Sequence, residues 1–230
     1  MSKIPVYFMP GLAANPLIFE RIKLDDTLFE VHYLEWEIPK PKESLGDYAK
    51  RMALKIKEEN PVLIGVSFGG IVVQEIAKFI SVRKLIIISS VKTKFEFPGR
   101  IRFARKTLAY KLIPMRLILH FGKLAQFVFG EKFSNRMKLY DTFLSVRDIG
   151  YLNWAVEKVV LWNCTVADER VIHIHGDKDW MFPIKNIEKC IVVEGGTHVM
   201  IFTKYRWFNT HLSDIILGSS FKNSNPEVSG

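Results

Sequence analysis

Short apolar runs alternate with longer segments of helical period along most of the chain. The apolar runs predict buried strands; they are IPVYFM from Ile4, VLIGV from Val62, KLIIIS from Lys84, RVIHIHG from Arg170 and KCIVVEGG from Lys189. Between and after them, the apolar period predicts helices over 44–60, 71–80 and 199–217. Strands that alternate with helices are typical of an α/β protein with a parallel sheet covered on both faces.

One further run, FEVHYLEWEI from Phe29, has strand character but is dotted with charged and polar residues. These are Glu30, His32, Glu35 and Glu37. Such residues suit an edge strand, where they discourage pairing with another chain. We therefore expect about six strands, all parallel, with this run at an exposed edge.

Two regions depart from the alternation of strands and helices. Residues 91–162 are helical in pattern, aromatic and basic, without clear strands, which predicts an inserted helical cap. The core is then formed by 1–90 and 163–217. Residues 218–230 are polar and rich in Gly, Ser and Asn, which predicts a disordered tail.

Composition limits the class of protein further. The 230 residues are 48% hydrophobic, enough for one sizeable core. The two cysteines, Cys164 and Cys190, form no disulfide framework, and no Cys/His cluster predicts a metal site. The chain shows neither a signal-peptide pattern nor an apolar run long enough to span a membrane. A reducing, cytoplasmic location is expected.

The net charge of +9 is concentrated in one segment. Between Val91 and Lys123 there are nine Lys or Arg residues and one acid, Glu96, so this segment carries +8 and the rest is nearly neutral. A nucleic-acid-binding protein is more often basic over a wider face, so no nucleic-acid partner is expected. The segment is a solvated face, a surface that meets an anionic membrane weakly, or an entrance that attracts anionic substrates. The sequence does not indicate an oligomeric state.

The clearest chemical signal is a serine among glycines, GVSFGG from Gly65, between a predicted strand and a predicted helix. Such a tight turn forces Ser67 to a positive φ, and Gly65 and Gly69 remove Cβ atoms that would collide. Ser67 then stands at a helix N-terminus, and the Phe68 N–H points to where an oxyanion would form. This is the pattern of a nucleophile elbow. The alternative is a serine that only caps a helix.

A serine nucleophile needs a base, and the base needs an acid to orient it. In this chain order the acid and then the histidine should follow the serine, each just past a strand. Asp177 and Asp179 follow RVIHIHG, and His198 follows the last strand in a glycine turn. We expect His198 Nε2 to take the Ser67 proton while one of the two aspartates holds Nδ1–H.

These segments resemble the α/β-hydrolase superfamily over most of Ile4 to Leu217. The resemblance rests on FMPGLAANPLIF, GVSFGG, HGDKDWMFP and GGTHVM. It implies Asp179 as the acid, with Asp177 as the alternative, and the Leu12 N–H as the second oxyanion donor beside Phe68. The first strand corresponds to the family's third, so the usual opening hairpin is missing. Pro10 stands where the family often has a histidine.

The resemblance also implies a function: a serine hydrolase that cleaves a carboxylic ester or a related acyl compound through an acyl-enzyme on Ser67 and needs no metal or organic cofactor. In the family, the insertion at the position of 91–162 shapes the acyl pocket. We expect an apolar acyl substrate, with some of the cap's large apolar residues lining the pocket and most fastening the cap to the core; these are Phe95, Phe97, Phe103, Leu108, Leu117, Phe121, Phe127, Phe129 and Trp154. The alternatives are an acyltransferase that uses the same triad and a weakly catalytic ligand receptor.

Overall fold

The structure is a computed structural model that describes residues 2–112 and 146–218. Six parallel strands form one sheet in the order β2-β1-β3-β4-β5-β6. They are β1 (Ile4–Met9), β2 (Phe29–Tyr33), β3 (Val62–Val66), β4 (Lys84–Ile88), β5 (Val171–Gly176) and β6 (Ile191–Val193). The predicted six-stranded parallel sheet is confirmed, and the charged strand β2 lies at an edge.

Six α-helices are described, with a 3₁₀ turn at each of four further places. The helices are α1 (Leu45–Ala53), α2 (Phe68–Ile76), α3 (Gly99–Thr107), α4 (Ile149–Leu161), α5 (Met200–Thr203) and α6 (Tyr205–Leu217). The 3₁₀ turns are Pro16–Phe19, Lys94–Glu96, Ala109–Leu112 and Ile184–Asn186. The Ser44 side chain caps α1 by accepting from the Asp47 N–H, so this helix begins where the sequence predicted but ends earlier, at Ala53.

Alternate residues of the strands point to opposite faces of the sheet, and each face has its own apolar core. Tyr7 and Met9 pack on the face covered by α1, α2 and α4. Val6 and Phe8 pack on the other face, beneath α5 and α6. Because both faces are buried, the central strands are apolar on both sides, which explains their continuous hydrophobic runs. The expectation of helices on both faces is confirmed.

The edge strand is shorter than its sequence pattern predicted. It ends at Tyr33, and its last ladder bond runs from the Leu34 N–H to the Phe8 carbonyl. Because β1 ends at Met9, later residues have no strand to pair with. Glu37 therefore lies off the sheet, where it pairs with Arg51 of α1.

The described parts of the predicted cap are its two ends. α3 has no fully buried residue, whereas Tyr151, Leu152 and Ala155 of α4 are buried in the core face that α2 covers. Asp148 caps α4 by accepting from the Tyr151 N–H at 2.7 Å. Residues 113–145 and 219–230 lie outside the described residues, so the cap boundaries and the disordered tail stay predictions. None of the described helices is long and apolar enough to cross a membrane.

The turn from β3 into α2 depends on close backbone contact. A Cβ atom on Gly65 would lie 2.5 Å from the Gly69 carbonyl carbon and 2.6 Å from the Gly70 Cα. Both neighbours are backbone atoms of the same turn, so neither can move aside cheaply. Gly65 is therefore required for α2 to start directly behind β3.

We predict that Gly65→Ala destabilises the protein by about 1–3 kcal/mol or more, because the added methyl group overpacks a rigid turn. Equilibrium unfolding in urea measures this as a lower midpoint. Gly99→Ala is the matched control, since a Cβ at Gly99 meets nothing within 4 Å. Equal midpoints for the two variants would show that the turn can relax.

Candidate active site

The structure brings Ser67, His198 and Asp179 into one hydrogen-bonded row. Ser67 Oγ lies 2.9 Å from His198 Nε2, and His198 Nδ1 lies 2.9 Å from Asp179 Oδ2. The carboxylate can only accept, so Nδ1 carries the proton and Nε2 is free to accept from the serine hydroxyl. The three residues follow β3, β5 and β6, so all stand at the carboxyl edge of the sheet, where parallel α/β folds place their sites.

Ser67 has the strained backbone that the sequence predicted. Its φ is 53° and its ψ is −120°, and it immediately precedes α2. The Ser67 N–H donates to the Ile88 carbonyl of β4, while its own carbonyl accepts from Ser90 Oγ at 2.7 Å. These two bonds hold the strained residue in place, and its hydroxyl is left to face His198.

For the acid, the resemblance implied Asp179, with Asp177 as the alternative. Asp179 is almost fully buried; its Oδ1 accepts from the Met181 and Phe182 N–H groups, and its Oδ2 meets His198. Asp177 is not brought to His198. Its Oδ1 is buried without a hydrogen-bond partner in the described structure, and its Oδ2 lies 3.8 Å from Lys178 Nζ. The geometry therefore favours Asp179.

We call the loop after β5 that carries Asp179 the acid loop, and the loop after β6 that carries His198 the histidine loop. A glycine contact that the sequence reasoning missed holds these two loops together. A Cβ atom on Gly176 would lie 2.9 Å from the Gly196 Cα, and the Lys178 N–H donates to the Gly196 carbonyl at 2.9 Å. The two loops thus run in direct backbone contact. The signal was present in HGD and GGTH, because Gly176 is the last residue of β5 and Gly196 lies three residues after β6 ends at Val193.

Two buried histidines stand behind the acid. The Phe182 carbonyl can only accept, so His175 Nε2 carries a proton and donates to it at 2.8 Å. His175 Nδ1 then accepts from His173 Nε2 at 3.0 Å. Burial lowers the pKa of both rings, which keeps them neutral. His175 Nε2 is also 3.6 Å from Asp179 Oδ2, so a neutral N–H faces the carboxylate from behind.

The loop after β1 lies against the elbow, as a second oxyanion donor requires. A Cβ on Gly69 would come within 2.5 Å of the Met9 carbonyl oxygen, so this glycine permits the close approach. Phe68 is the first residue of α2, and its N–H has no acceptor within the helix. Across residues 2–112 and 146–218, nothing accepts a hydrogen bond from the Leu12 N–H.

The orientation of the Gly11–Leu12 peptide is set by a residue that the sequence reasoning assigned to the edge strand. Trp36 Nε1 donates to the Gly11 carbonyl at 2.8 Å, and the Ala14 N–H donates to the same oxygen at 3.0 Å. In a trans peptide the N–H points opposite to the carbonyl. The two donors therefore direct the Leu12 N–H away from Trp36.

Aromatic rings fasten this loop to the helices around it. Trp36 stacks on Phe68, with ring centroids 5.0 Å apart and an interplanar angle of 8°. The Tyr151 hydroxyl of α4 accepts from the Ala13 N–H at 3.2 Å, where Ala13 has a φ of 62°. Burial raises the pKa of Tyr151, which keeps the phenol neutral. Residues from three separated segments thus shape one loop.

The large apolar residues expected at the acyl pocket have different surroundings. Phe97 is buried against Phe182, and Trp154 packs on Tyr48, so both fasten this region to the core. Phe95, Phe103 and Leu108 are exposed. Leu117, Phe121, Phe127 and Phe129 lie outside the described residues. The pocket lining therefore stays a prediction.

One group of side chains in the described part of the chain has the spacing of metal ligands. The nearest ligand atoms of Glu30, His32 and Glu58 all lie within 4.8 Å of one another. His32 stacks on Tyr7, whose hydroxyl donates to Glu58, so the residues also form an ordinary polar cluster. The group lies on the edge strand β2, two strands from β3, and takes no part in the row at Ser67.

Comparison with known proteins gives a likeness of fold without a close relative. No protein-family model and no curated protein matches the chain. Among solved structures, a carboxylesterase from Nitrososphaera gargenis has 18% identity and a TM-score of 0.60, over 94% of this chain and 89% of that one. An esterase from Thermogutta terrifontis has 11% identity and a TM-score of 0.64, over 94% and 90%.

A third structure, a bromoperoxidase from Bacillus anthracis, has 15% identity and a TM-score of 0.64, over 94% of this chain and 92% of that one. These proteins differ in their described activities, so the likeness speaks for architecture and not for a reaction. The parallel sheet, the elbow at Ser67 and these structural neighbours show that the chain has the α/β-hydrolase fold.

Proposed function

We propose that the protein is a serine hydrolase that cleaves a carboxylic ester through an acyl-enzyme on Ser67. The observation that carries the proposal is the row Ser67–His198–Asp179, with both hydrogen bonds at 2.9 Å. A hydroxyl, a base and an orienting acid in this order are what nucleophilic acyl transfer requires.

In the acylation step, Ser67 Oγ attacks the ester carbonyl carbon while His198 Nε2 takes the hydroxyl proton. The carbonyl oxygen becomes negative and is stabilised by the Phe68 and Leu12 N–H groups. Asp179 stabilises the imidazolium without taking its proton. His198 then returns the proton to the leaving alcohol oxygen as the carbon–oxygen bond breaks, which leaves Ser67 acylated.

In the second step, His198 removes a proton from water, and the resulting hydroxide attacks the acyl carbon. The tetrahedral intermediate uses the same two N–H donors, and its collapse returns the proton to Ser67 Oγ and releases the acid. An acyltransferase would use an alcohol or amine in place of water with otherwise identical proton movements. Competition between water and an added alcohol distinguishes the two, because only a true transferase strongly prefers the added acceptor.

The first prediction concerns the nucleophile. Ser67→Ala should lower the turnover of p-nitrophenyl acetate at least about 10³-fold, since only background stabilisation by N–H donors remains. A fluorophosphonate probe should add to the wild-type chain and not to the variant, as read by intact mass. The unfolding midpoint should hardly change, because within residues 2–112 and 146–218 the hydroxyl bonds to His198 alone. Undiminished turnover in the pure variant would rule out Ser67 as nucleophile. If the probe does not label the wild-type chain, the result would favour the alternative of a weakly catalytic ligand receptor.

The second prediction separates the two aspartates. Asp179→Asn should lower kcat about 10⁴-fold, because an amide NH₂ facing Nδ1 favours the wrong histidine tautomer. Asp177→Asn is the matched control and should retain activity within about fivefold, since its carboxylate does not face His198. If Asp177→Asn loses activity and Asp179→Asn retains it, the acid has been assigned to the wrong residue.

The third prediction tests the orienting role of Trp36. Trp36→Phe keeps a ring against Phe68 but removes the donor to the Gly11 carbonyl. We expect kcat to fall about tenfold with KM within about twofold, because a loosened donor weakens mainly transition-state binding. Trp154→Phe is the control, since its indole donates to the Glu43 carbonyl instead. A raised KM with unchanged kcat for Trp36→Phe would make Trp36 a substrate contact.

A further inference from the structure

The single acid in the basic segment is buried, so the exposed charges there have one sign. Glu96 is 3% exposed, accepts from the Lys92 N–H at 2.5 Å and from the Glu188 N–H at 3.1 Å, and lies 3.6 Å from Lys92 Nζ. Lys92 is itself buried. This internal pair cancels, and apart from Glu96 the charged residues of 93–112 are six cations; they are Lys94, Arg100, Arg102, Arg105, Lys106 and Lys111.

The six cations fall into two groups. Arg100 donates to the Trp180 and Met181 carbonyls, Arg105 to the Trp162 carbonyl, and Lys94 to Asn163 Oδ1, so these three hold the segment to the core. Arg102, Lys106 and Lys111 are exposed and have no partner in the part of the chain that the structure describes. As far as the described residues go, this second group alone is free to bind a ligand.

Large apolar side chains are exposed beside the free cations. Phe103 of α3 is 64% exposed, and it shares the outer side of the helix with Arg102 and Lys106, while Ile101 packs inward against the core. Four further exposed apolar residues come from this segment and the acid loop: Phe95, Leu108, Leu112 and Trp180. We call these five, with Arg102, Lys106 and Lys111, the cationic surface.

We propose that the cationic surface docks on an anionic lipid bilayer. Cations that alternate with exposed aromatic and aliphatic side chains fit a bilayer interface, where the charges meet lipid phosphates and the apolar groups enter the acyl boundary. The lack of any exposed acid in 93–112 gives the charge complementarity. A nucleic acid would use the charges but would leave the exposed Leu108 and Leu112 without a partner.

This surface is joined directly to the proposed catalytic residues. Trp180 follows Asp179 in the chain, and the Arg100 guanidinium lies 5.5 Å from the centre of the Trp180 ring while bonding the carbonyls of the acid loop. A bilayer on this surface therefore lies beside the site, and esters dissolved in it are the substrate class that we infer. The inference about the substrate class rests on the proposed function, whereas the docking proposal does not.

Docking is tested with the full chain carrying Ser67→Ala, so that binding is measured without turnover. Sedimentation with phosphatidylcholine vesicles that contain phosphatidylserine should show binding at about 0.05 M salt and release at about 0.5 M, as screening shortens the range of the charges. Arg102→Gln/Lys106→Gln/Lys111→Gln should bind about 100-fold more weakly, since each cation contributes about fivefold at such a surface. Phe103→Ser should weaken binding about tenfold.

The matched control is Lys3→Gln/Lys23→Gln/Lys50→Gln. It removes three exposed lysines elsewhere, whose side chains also lack partners in the described structure, and it leaves the net charge equal to that of the test variant. Its binding should stay within about threefold of the parent, because those lysines do not face the bilayer. If both triple variants lose vesicle binding equally, binding depends on the overall charge of the protein. That result would overturn the assignment of the cationic surface. Binding to duplex DNA without binding to vesicles would overturn the bilayer as its partner.

An activity measurement with intact Ser67 keeps the two proposals distinguishable. The cationic triple variant should hydrolyse soluble p-nitrophenyl acetate normally but lose about tenfold in rate on a p-nitrophenyl ester dissolved in anionic vesicles. Vesicle binding with no turnover of either ester would contradict the proposed function and leave docking standing. Turnover of both esters at parent rates by a variant that no longer binds would contradict the membrane substrate class.

Discussion

The strained backbone of Ser67 is the constraint on which the other features depend. A residue at φ 53° directly between β3 and α2 exists only if the turn can close behind it, and Gly65 permits that closure. Gly69 permits a second approach, because its missing Cβ makes room for the carbonyl of Met9. The same short turn thus places the hydroxyl above the sheet and brings the loop after β1 beside it.

The parallel sheet then determines which other residues can reach the serine. Since the carboxyl ends of parallel strands share one edge, the loops after β3, β5 and β6 necessarily meet there. The backbone contact between Gly176 and Gly196 sets the spacing of the last two loops, and so the hydrogen bond between Asp179 and His198. Buried, neutral His175 braces the acid loop through the Phe182 carbonyl.

The acid loop also connects the site to the outside of the molecule. Its backbone carbonyls accept from Arg100, so α3 is attached to the segment that carries Asp179. The internal pair of Lys92 and Glu96 removes the only acid from the segment's surface. The cations of a basic segment that looked uniform therefore fall into two groups: some bind backbone carbonyls, and others have no partner among the residues that the structure describes.

The sequence by itself determined the sheet, its edge strand and the strained turn, because burial on both faces, edge exposure and a positive φ each demand particular residue types. It also singled out the serine and the histidine that the structure brings together. Residue types and spacing alone did not distinguish Asp177 from Asp179, which the resemblance favoured; the tertiary structure brings Asp179 to His198, because two nearby residues of one loop point in different directions that spacing does not encode. It alone revealed Trp36 on the Gly11 carbonyl, since that contact depends on where β1 ends and the edge chain leaves the sheet.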